Sequence, residues 1–268
     1  MEIPGTGTLQ IDVGPSRYFI ARDGSANLMK WQIGLADASW RDIIFNDGNS
    51  KHQLNIRAMP VAGLEEFDLA AVDFACSQNG EVLTFEPKDS EQCSTCIPRV
   101  SYKLSDLSIH IEISLDNVGA FPIYWCPLIC VPIHLPWHGG LTIDQYSIRS
   151  KAKKKFLLNN DLSVVESAKC AEKVPINLTQ NSILAINGMQ DYRASIITKN
   201  EEEALSVIFC GKYQNAHLAL KQIKRNYYVD LLCMPDLPNY DAEFKDWLRY
   251  RCIQPNKSDS FAVELSAY

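Results

Sequence analysis

Two histidines frame the stretch His134-Leu-Pro-Trp137-His138, which runs straight into Gly139-Gly140. An indole ring offers a flat apolar surface on which the face of a sugar can stack, and imidazoles supply hydrogen-bond donors and acceptors. The same residues equally fit a structural turn in which a backbone carbonyl satisfies His134. Arg57 carries a forked donor that can grip hydroxyls or an anionic substituent, or can form a surface ion pair. Cys130 sits in the apolar run Trp125-Cys-Pro-Leu-Ile-Cys-Val-Pro-Ile133. No basic partner is identifiable to lower its pKa, so it reads as a core thiol before it reads as a nucleophile. Asn187 and Asp191 fall in a strand-to-strand turn, where these types are common for local reasons.

The elements that must position these residues are strands. Leu107–Leu115 has apolar residues at every second position, as a half-buried strand requires. A turn carrying Asn117 and Gly119 follows, then an apolar run interrupted by Pro122, Pro127, Pro132 and Pro136. Similar segments recur at roughly ten-residue spacing, the pattern of a sandwich or barrel. Among them are Thr8–Val13, Tyr18–Arg22, Ala26–Leu35, Ile123–His134, Ala204–Cys210, Leu248–Gln254 and Phe261–Leu265. Helical periodicity is confined to two short stretches, Ala62–Ala71 and Asp241–Tyr250. In the second, Phe244, Trp247 and Leu248 share one face. With no repeat, low-complexity segment or linker, the expectation is one all-β domain spanning 1–268, a large antiparallel two-layer sandwich.

The bulk properties narrow the partners. A net charge of −6 argues against nucleic acid, and the short basic run Lys151–Lys155 reads as a solvated strand edge. No apolar run approaches the ~20 residues of a membrane span, and Met1-Glu-Ile-Pro4 lacks the features of a signal peptide. The chain is expected to be cytoplasmic and to have a small-molecule ligand as its partner. The nine cysteines are an odd number, and Cys76, Cys126, Cys130, Cys210, Cys233 and Cys252 lie in apolar contexts that suit buried reduced thiols. Cys93-Ser-Thr-Cys96 has zinc-ribbon spacing, but no second such pair follows and His110 lies on a strand, so neither metal nor other cofactor is expected.

The order "strand, Asn117-x-Gly119-x-x-Pro122, apolar strand, His134, Pro136" resembles the central segment of the galactose mutarotase (aldose 1-epimerase) superfamily. Gly24–Gln32 and Asp42–Phe45 look like its early strands, and Asn55–Pro60 like the place where it sets a substrate-contacting arginine, here Arg57. Arg249-Tyr-Arg-Cys-Ile-Gln254-Pro255 is similar to the segment that carries its catalytic base. The resemblance also places a substrate-gripping aspartate near Asn187 and Asp191. It implies a galactose mutarotase-like β-sandwich with a sugar in a concave cleft. There a glutamate takes the proton from the anomeric hydroxyl while a histidine protonates the ring oxygen.

The departures bear on chemistry. Gln254 stands at the glutamate position, and a carboxamide cannot take a proton at neutral pH. The usual histidine position falls on Cys130, with His134 four residues further along. Four residues preserve strand facing unless Pro132 introduces a bulge. The family's second histidine has no counterpart between Arg57 and Arg99. Three readings stay open: an epimerase-like isomerase with a rearranged acid/base set around His134 and Gln254, a non-catalytic carbohydrate-binding relative, or isomerisation or cyclisation of a non-sugar metabolite in the same cleft. On the resemblance, Arg57, Cys130, Asn187 and Asp191 would line that cleft, and Trp137 and His138 join them by residue type and by their place in the loop after His134.

Overall fold

The computed structural model describes residues 7–21, 26, 28–36, 38, 40–45, 57–59, 67–68, 72–89, 93, 95–127, 129–134, 143–159, 164–178, 182–211, 216–224, 228–235 and 251–268. Among them the elements are strands, apart from one 3-10 turn at Ile143–Gln145. The ten-stranded sheet runs in the order β1 (Thr8–Val13), β2 (Ser16–Ala21), β3 (Leu28–Gly34), β4 (Trp40–Phe45), β12 (Ile129–His134), β21 (Tyr228–Met234), β20 (His217–Lys224), β17 (Ser182–Asn187), β14 (Lys154–Asn159), β15 (Val164–Lys169). The nine-stranded sheet runs β16 (Lys173–Pro175), β13 (Tyr146–Ser150), β18 (Arg193–Thr198), β19 (Glu203–Cys210), β23 (Ser258–Ala267), β10 (Ser108–Asn117), β9 (Cys96–Leu104), β8 (Val82–Pro87), β7 (Phe74–Asn79). A four-stranded sheet is ordered β22 (Arg251–Ile253), β11 (Ile123–Cys126), β5 (Arg57–Met59), β6 (Phe67–Asp68). The fold is all-β, built on large antiparallel sheets.

Alternation sets the facing. In β10, Ile109, Ile111, Ile113 and Leu115 are buried in a strict two-residue rhythm, and the rhythm carries the polar Asn117 onto the same face. Their core is shared with the ten-stranded sheet, which contributes Tyr18, Trp31, Val131, Ile133, Leu218 and Leu231. A second apolar cluster of Leu158, Ile183, Ala185, Ala219 and Met234, joined by Phe156 and Leu232, comes from alternate positions of the ten-stranded sheet. Central strands covered on both faces read as continuous apolar runs, which is why β17 alternates so little in sequence.

Two expectations change at the local level. The expected strand Ile123–His134 is two strands, broken at Pro127 and divided between the four- and ten-stranded sheets. Within the expected helix Ala62–Ala71, residues Phe67–Asp68 instead form β6, paired with Arg57 and Ala58. A backbone ladder fixes these two residues where apolar spacing alone suggested a turn of helix. The expected helix Asp241–Tyr250 lies outside the described residues.

Polar clamps join the sheets. The Tyr18 hydroxyl on β2 donates to the carbonyls of Ser105 and Ser108 at the β9–β10 turn. Ser16 reaches the Asp106 carbonyl, and Trp31 Nε1 donates to Ser16 Oγ at 3.1 Å. Gly14 in the β1–β2 turn has φ +54°, and a Cβ there would lie 2.5 Å from Asp106 Oδ1. Gly14→Ala combines a left-handed backbone with displacement of that carboxylate. A loss of about 1–3 kcal/mol is expected, visible as a lowered melting temperature.

Alkaline pH is expected to weaken the fold through its buried acids. Burial pushes the Cys96 thiol from its ordinary 9.0 up to about 11, and Cys93 adds to the rise. Burial likewise raises Tyr18, Tyr102 and Cys233. Below pH 9 the Cys96 contribution is intact, because the folded and unfolded chains both hold the proton. Between pH 9 and 11 the unfolded chain releases it first, so stability falls. Urea midpoints measured across this window check the slope, which Cys96→Ala should make shallower.

Candidate functional site

The central motif is tied directly to the C-terminal one. β11 pairs antiparallel with β22, setting Ile123 opposite Ile253, Tyr124 opposite Cys252 and Trp125 opposite Arg251. Asn117 locks the junction. Its carboxamide donates to the carbonyls of Phe121 and Ile253, each at 2.8 Å, and accepts from the Gly119 N–H at 3.0 Å. Its backbone N–H donates to Lys257 O, and its carbonyl accepts from Asn256 N–H. The Asn-x-Gly turn is therefore the brace on which Gln254-Pro255 is hung.

The two faces of this small sheet differ. On the inner side, Ile123, Trp125 and Ile253 are buried, and Trp125 Nε1 donates to Asp259 Oδ2 at 2.7 Å while Arg251 pairs with the other carboxylate oxygen. Strand alternation sends Tyr124, Cys252 and Gln254 the other way. Cys252 and Gln254 are exposed and Tyr124 is half-buried. Gln254 Nε2 donates to Cys252 Sγ at 3.3 Å. A hydrogen bond with Cys252, then electrostatic interaction with it, raises the Tyr124 phenol above its ordinary value. A phenol, a thiol and a carboxamide thus share one open surface that can bind polar groups.

The remaining expected residues are distributed as follows. β12 keeps unbroken register with β21 from Ile129–Cys233 to His134–Tyr228, so Pro132 introduces no bulge and Cys130 and His134 retain the same parity. On the β4 side Ile133 pairs with Ile44. Cys130 is buried opposite Leu232, beside the second apolar cluster. Arg57 lies on β5 opposite Cys126, so it and Gln254 flank opposite ends and opposite sides of β11. Asn187 ends β17 opposite His217, three strands from β12 in the sheet order. Asp191 is exposed in the following turn, its Oδ1 accepting from Arg193 N–H at 3.4 Å. Trp137 and His138 lie outside the described residues.

Sequence reasoning missed Tyr124 and misplaced Cys252. An apolar context led to the expectation of a buried thiol, whereas Cys252 is exposed and Cys76 and Cys210 are half-buried. Cys93 and Cys96 are both buried. Alternation from Ile253, apolar and next to a proline motif, was the signal that turned Cys252 outward. Among the described residues, the grouping with metal-ligating chemistry lies on the nine-stranded sheet: His110, Cys210 and Glu264.

No family model matches the sequence, and neither does any curated protein. The architecture has clear counterparts: the fold is galactose mutarotase-like, and the likeness is remote in sequence. The chain is similar to the galactose mutarotase related enzyme of Lactobacillus acidophilus, with a TM-score of 0.72 at 13% identity, covering 98% of this chain and 97% of that one. A putative aldose 1-epimerase from Escherichia coli K12 superposes with a TM-score of 0.70 at 12% identity, covering 98% and 99%. A galactose mutarotase-like protein from Lactobacillus casei gives 0.71 at 12% identity, covering 98% and 100%.

Proposed function

We propose that this chain is a single mutarotase-like domain that binds a sugar or sugar-like small molecule, and that it has little or no mutarotase activity. The observation that carries this reading is the hydrogen-bonded pairing of β11 with β22, which fixes Gln254 on an exposed face beside Tyr124 and Cys252. Gln254 stands where the resemblance calls for the proton acceptor, and its amide donates to a thiol. That pattern favours gripping hydroxyls over removing a proton. General-base catalysis contributes about 10²–10⁴-fold in rate, which sets the scale of the expected loss.

The test is polarimetry or NMR exchange on freshly dissolved α-glucose and α-galactose, with wild type and Gln254→Glu. Little wild-type turnover and a gain in Gln254→Glu are expected. Robust wild-type turnover that His134→Ala abolishes would reject the lost-base reading. Binding is read separately by alkylation. Cys252 should react with iodoacetamide well before the buried Cys96 and Cys233, and a bound ligand should slow it. Unchanged alkylation at saturating sugar would remove Cys252 from the binding surface.

A second reading, turnover of a less polar metabolite, is favoured by one observation. Cys130 is paired with Leu232, beside an apolar cluster that includes Ala185, Ala219 and Met234. Protection of Cys252 by apolar carbonyl compounds but not by hexoses would select it.

A further inference from the structure

We propose that His110, Cys210 and Glu264 form a binding site for a zinc-class divalent cation on the outer face of the nine-stranded sheet, separate from the mutarotase-like surface. One ligand atom from each of the three lies within 4.8 Å of the others. The residues come from three adjacent strands, β10, β23 and β19. His110 is paired directly with Glu264, and Cys210 stands diagonal to it through the Ile208–Glu264 and Cys210–Ala262 pairs. All three side chains are half-buried.

The donor set discriminates between metals. Imidazole nitrogen, thiolate sulfur and carboxylate oxygen together suit zinc, whereas calcium and magnesium take oxygen ligands. Three protein ligands leave a fourth position for water or a ligand. Zinc bonds of about 2.0–2.3 Å put tetrahedral ligand atoms roughly 3.3–3.8 Å apart, so closing around the ion needs side-chain movements of about 1 Å. The strands already hold the backbone. Ser266 Oγ donates to Glu264 Oε1 at 3.4 Å, orienting the carboxylate. Burial first, then the negative charges of Glu264 and Glu112, hold the Cys210 thiol above its ordinary value, so a bound ion must displace its proton. Lys103, opposite His110 on β9, is the cationic neighbour. A shallow depression of about 450 Å³ beside the β9–β10 turn is lined by Ser108, Ser266 and Tyr268 and has Glu264 alone of the three ligands in its wall.

Local spacing could not reveal this set, because its members are far apart in sequence and only strand order brings them together. The expectation of no metal rested on the lack of a second pair to match Cys93 and Cys96, which are both buried, and on His110 lying on a strand; here strand neighbours, not local spacing, supply its partners.

The experiment uses the full chain, reduced and freed of metal by chelator, titrated with cobalt(II) and then zinc(II). One equivalent of cobalt(II) should give a thiolate-to-cobalt charge-transfer band, and zinc(II) should displace it. Cys210→Ser should lose the band. His110→Gln and Glu264→Gln should weaken binding by more than the about 10–100-fold that a supporting residue costs. Cys252→Ser and Cys93→Ser should bind like wild type. Circular dichroism in chelator identifies any variant that fails to fold, and the two glutamine variants carry the test if Cys210→Ser is among them. Absence of a tight equivalent in the wild type, or a band that survives Cys210→Ser, His110→Gln and Glu264→Gln, overturns the proposal.

Discussion

Replacing Trp125 with alanine is expected to cost about 3–5 kcal/mol, the usual range for emptying a buried large aromatic site. Trp125 is only 1% exposed and belongs to the core shared by the sheets. Its indole N–H also donates to Asp259, the carboxylate that pairs with Arg251 on the neighbouring strand. The substitution therefore opens a cavity and weakens the polar link between β11, β22 and β23. Trp125→Phe separates the two contributions, since it keeps most of the ring volume and loses the N–H. Its cost should be about 1.5–3 kcal/mol, the scale of one hydrogen bond to a charged group. Urea unfolding measures both, and a double-mutant cycle with Asp259→Asn should return a coupling of about 1 kcal/mol. If Trp125→Ala moved the midpoint by less than the equivalent of ~1 kcal/mol, the junction would not rest on this residue.

Asn117→Ala is expected to lose about 2–4 kcal/mol. Three backbone groups lose their partner at once: the carbonyls of Phe121 and Ile253 and the N–H of Gly119. A buried group left unsatisfied costs about 1–3 kcal/mol, and the sum is reduced because two of these bonds are only partly buried. Asn117→Asp is the sharper probe. It keeps the shape but, ionised, has no donor for either carbonyl. Its deficit at neutral pH should shrink as the carboxyl protonates and regains one donor. Because the same carboxamide hangs Gln254-Pro255 on the central motif, both variants should also lose any sugar protection of Cys252. Full stability in Asn117→Asp would sink this account.

The chain itself determined the facing of its strands. From Ser108 to Leu115 the side-chain period of two matches burial residue by residue, whereas Leu107, just before the strand, is exposed, and the Asn117–Gly119 turn was legible from its residue types. β1 was legible to its ends. Gln254 was recognisable as a carboxamide at the place of a base, since identity at a motif position is a property of sequence. Pairing was not legible. β21, absent from the strands expected on sequence, lies between β12 and β20 near the middle of the largest sheet. Alternation says which way a residue points but not which strand lies beside it, and partners here are distant in the chain. A sheet covered on both faces also erases the alternation that would mark its strands. Tertiary structure alone therefore decided that β11 belongs with β22, that Cys252 stands beside Tyr124, that Asp259 answers both Trp125 and Arg251, and that His110, Cys210 and Glu264 meet. Each is a contact between strands, set by register across hydrogen-bonded neighbours, and register is fixed only when the whole core closes.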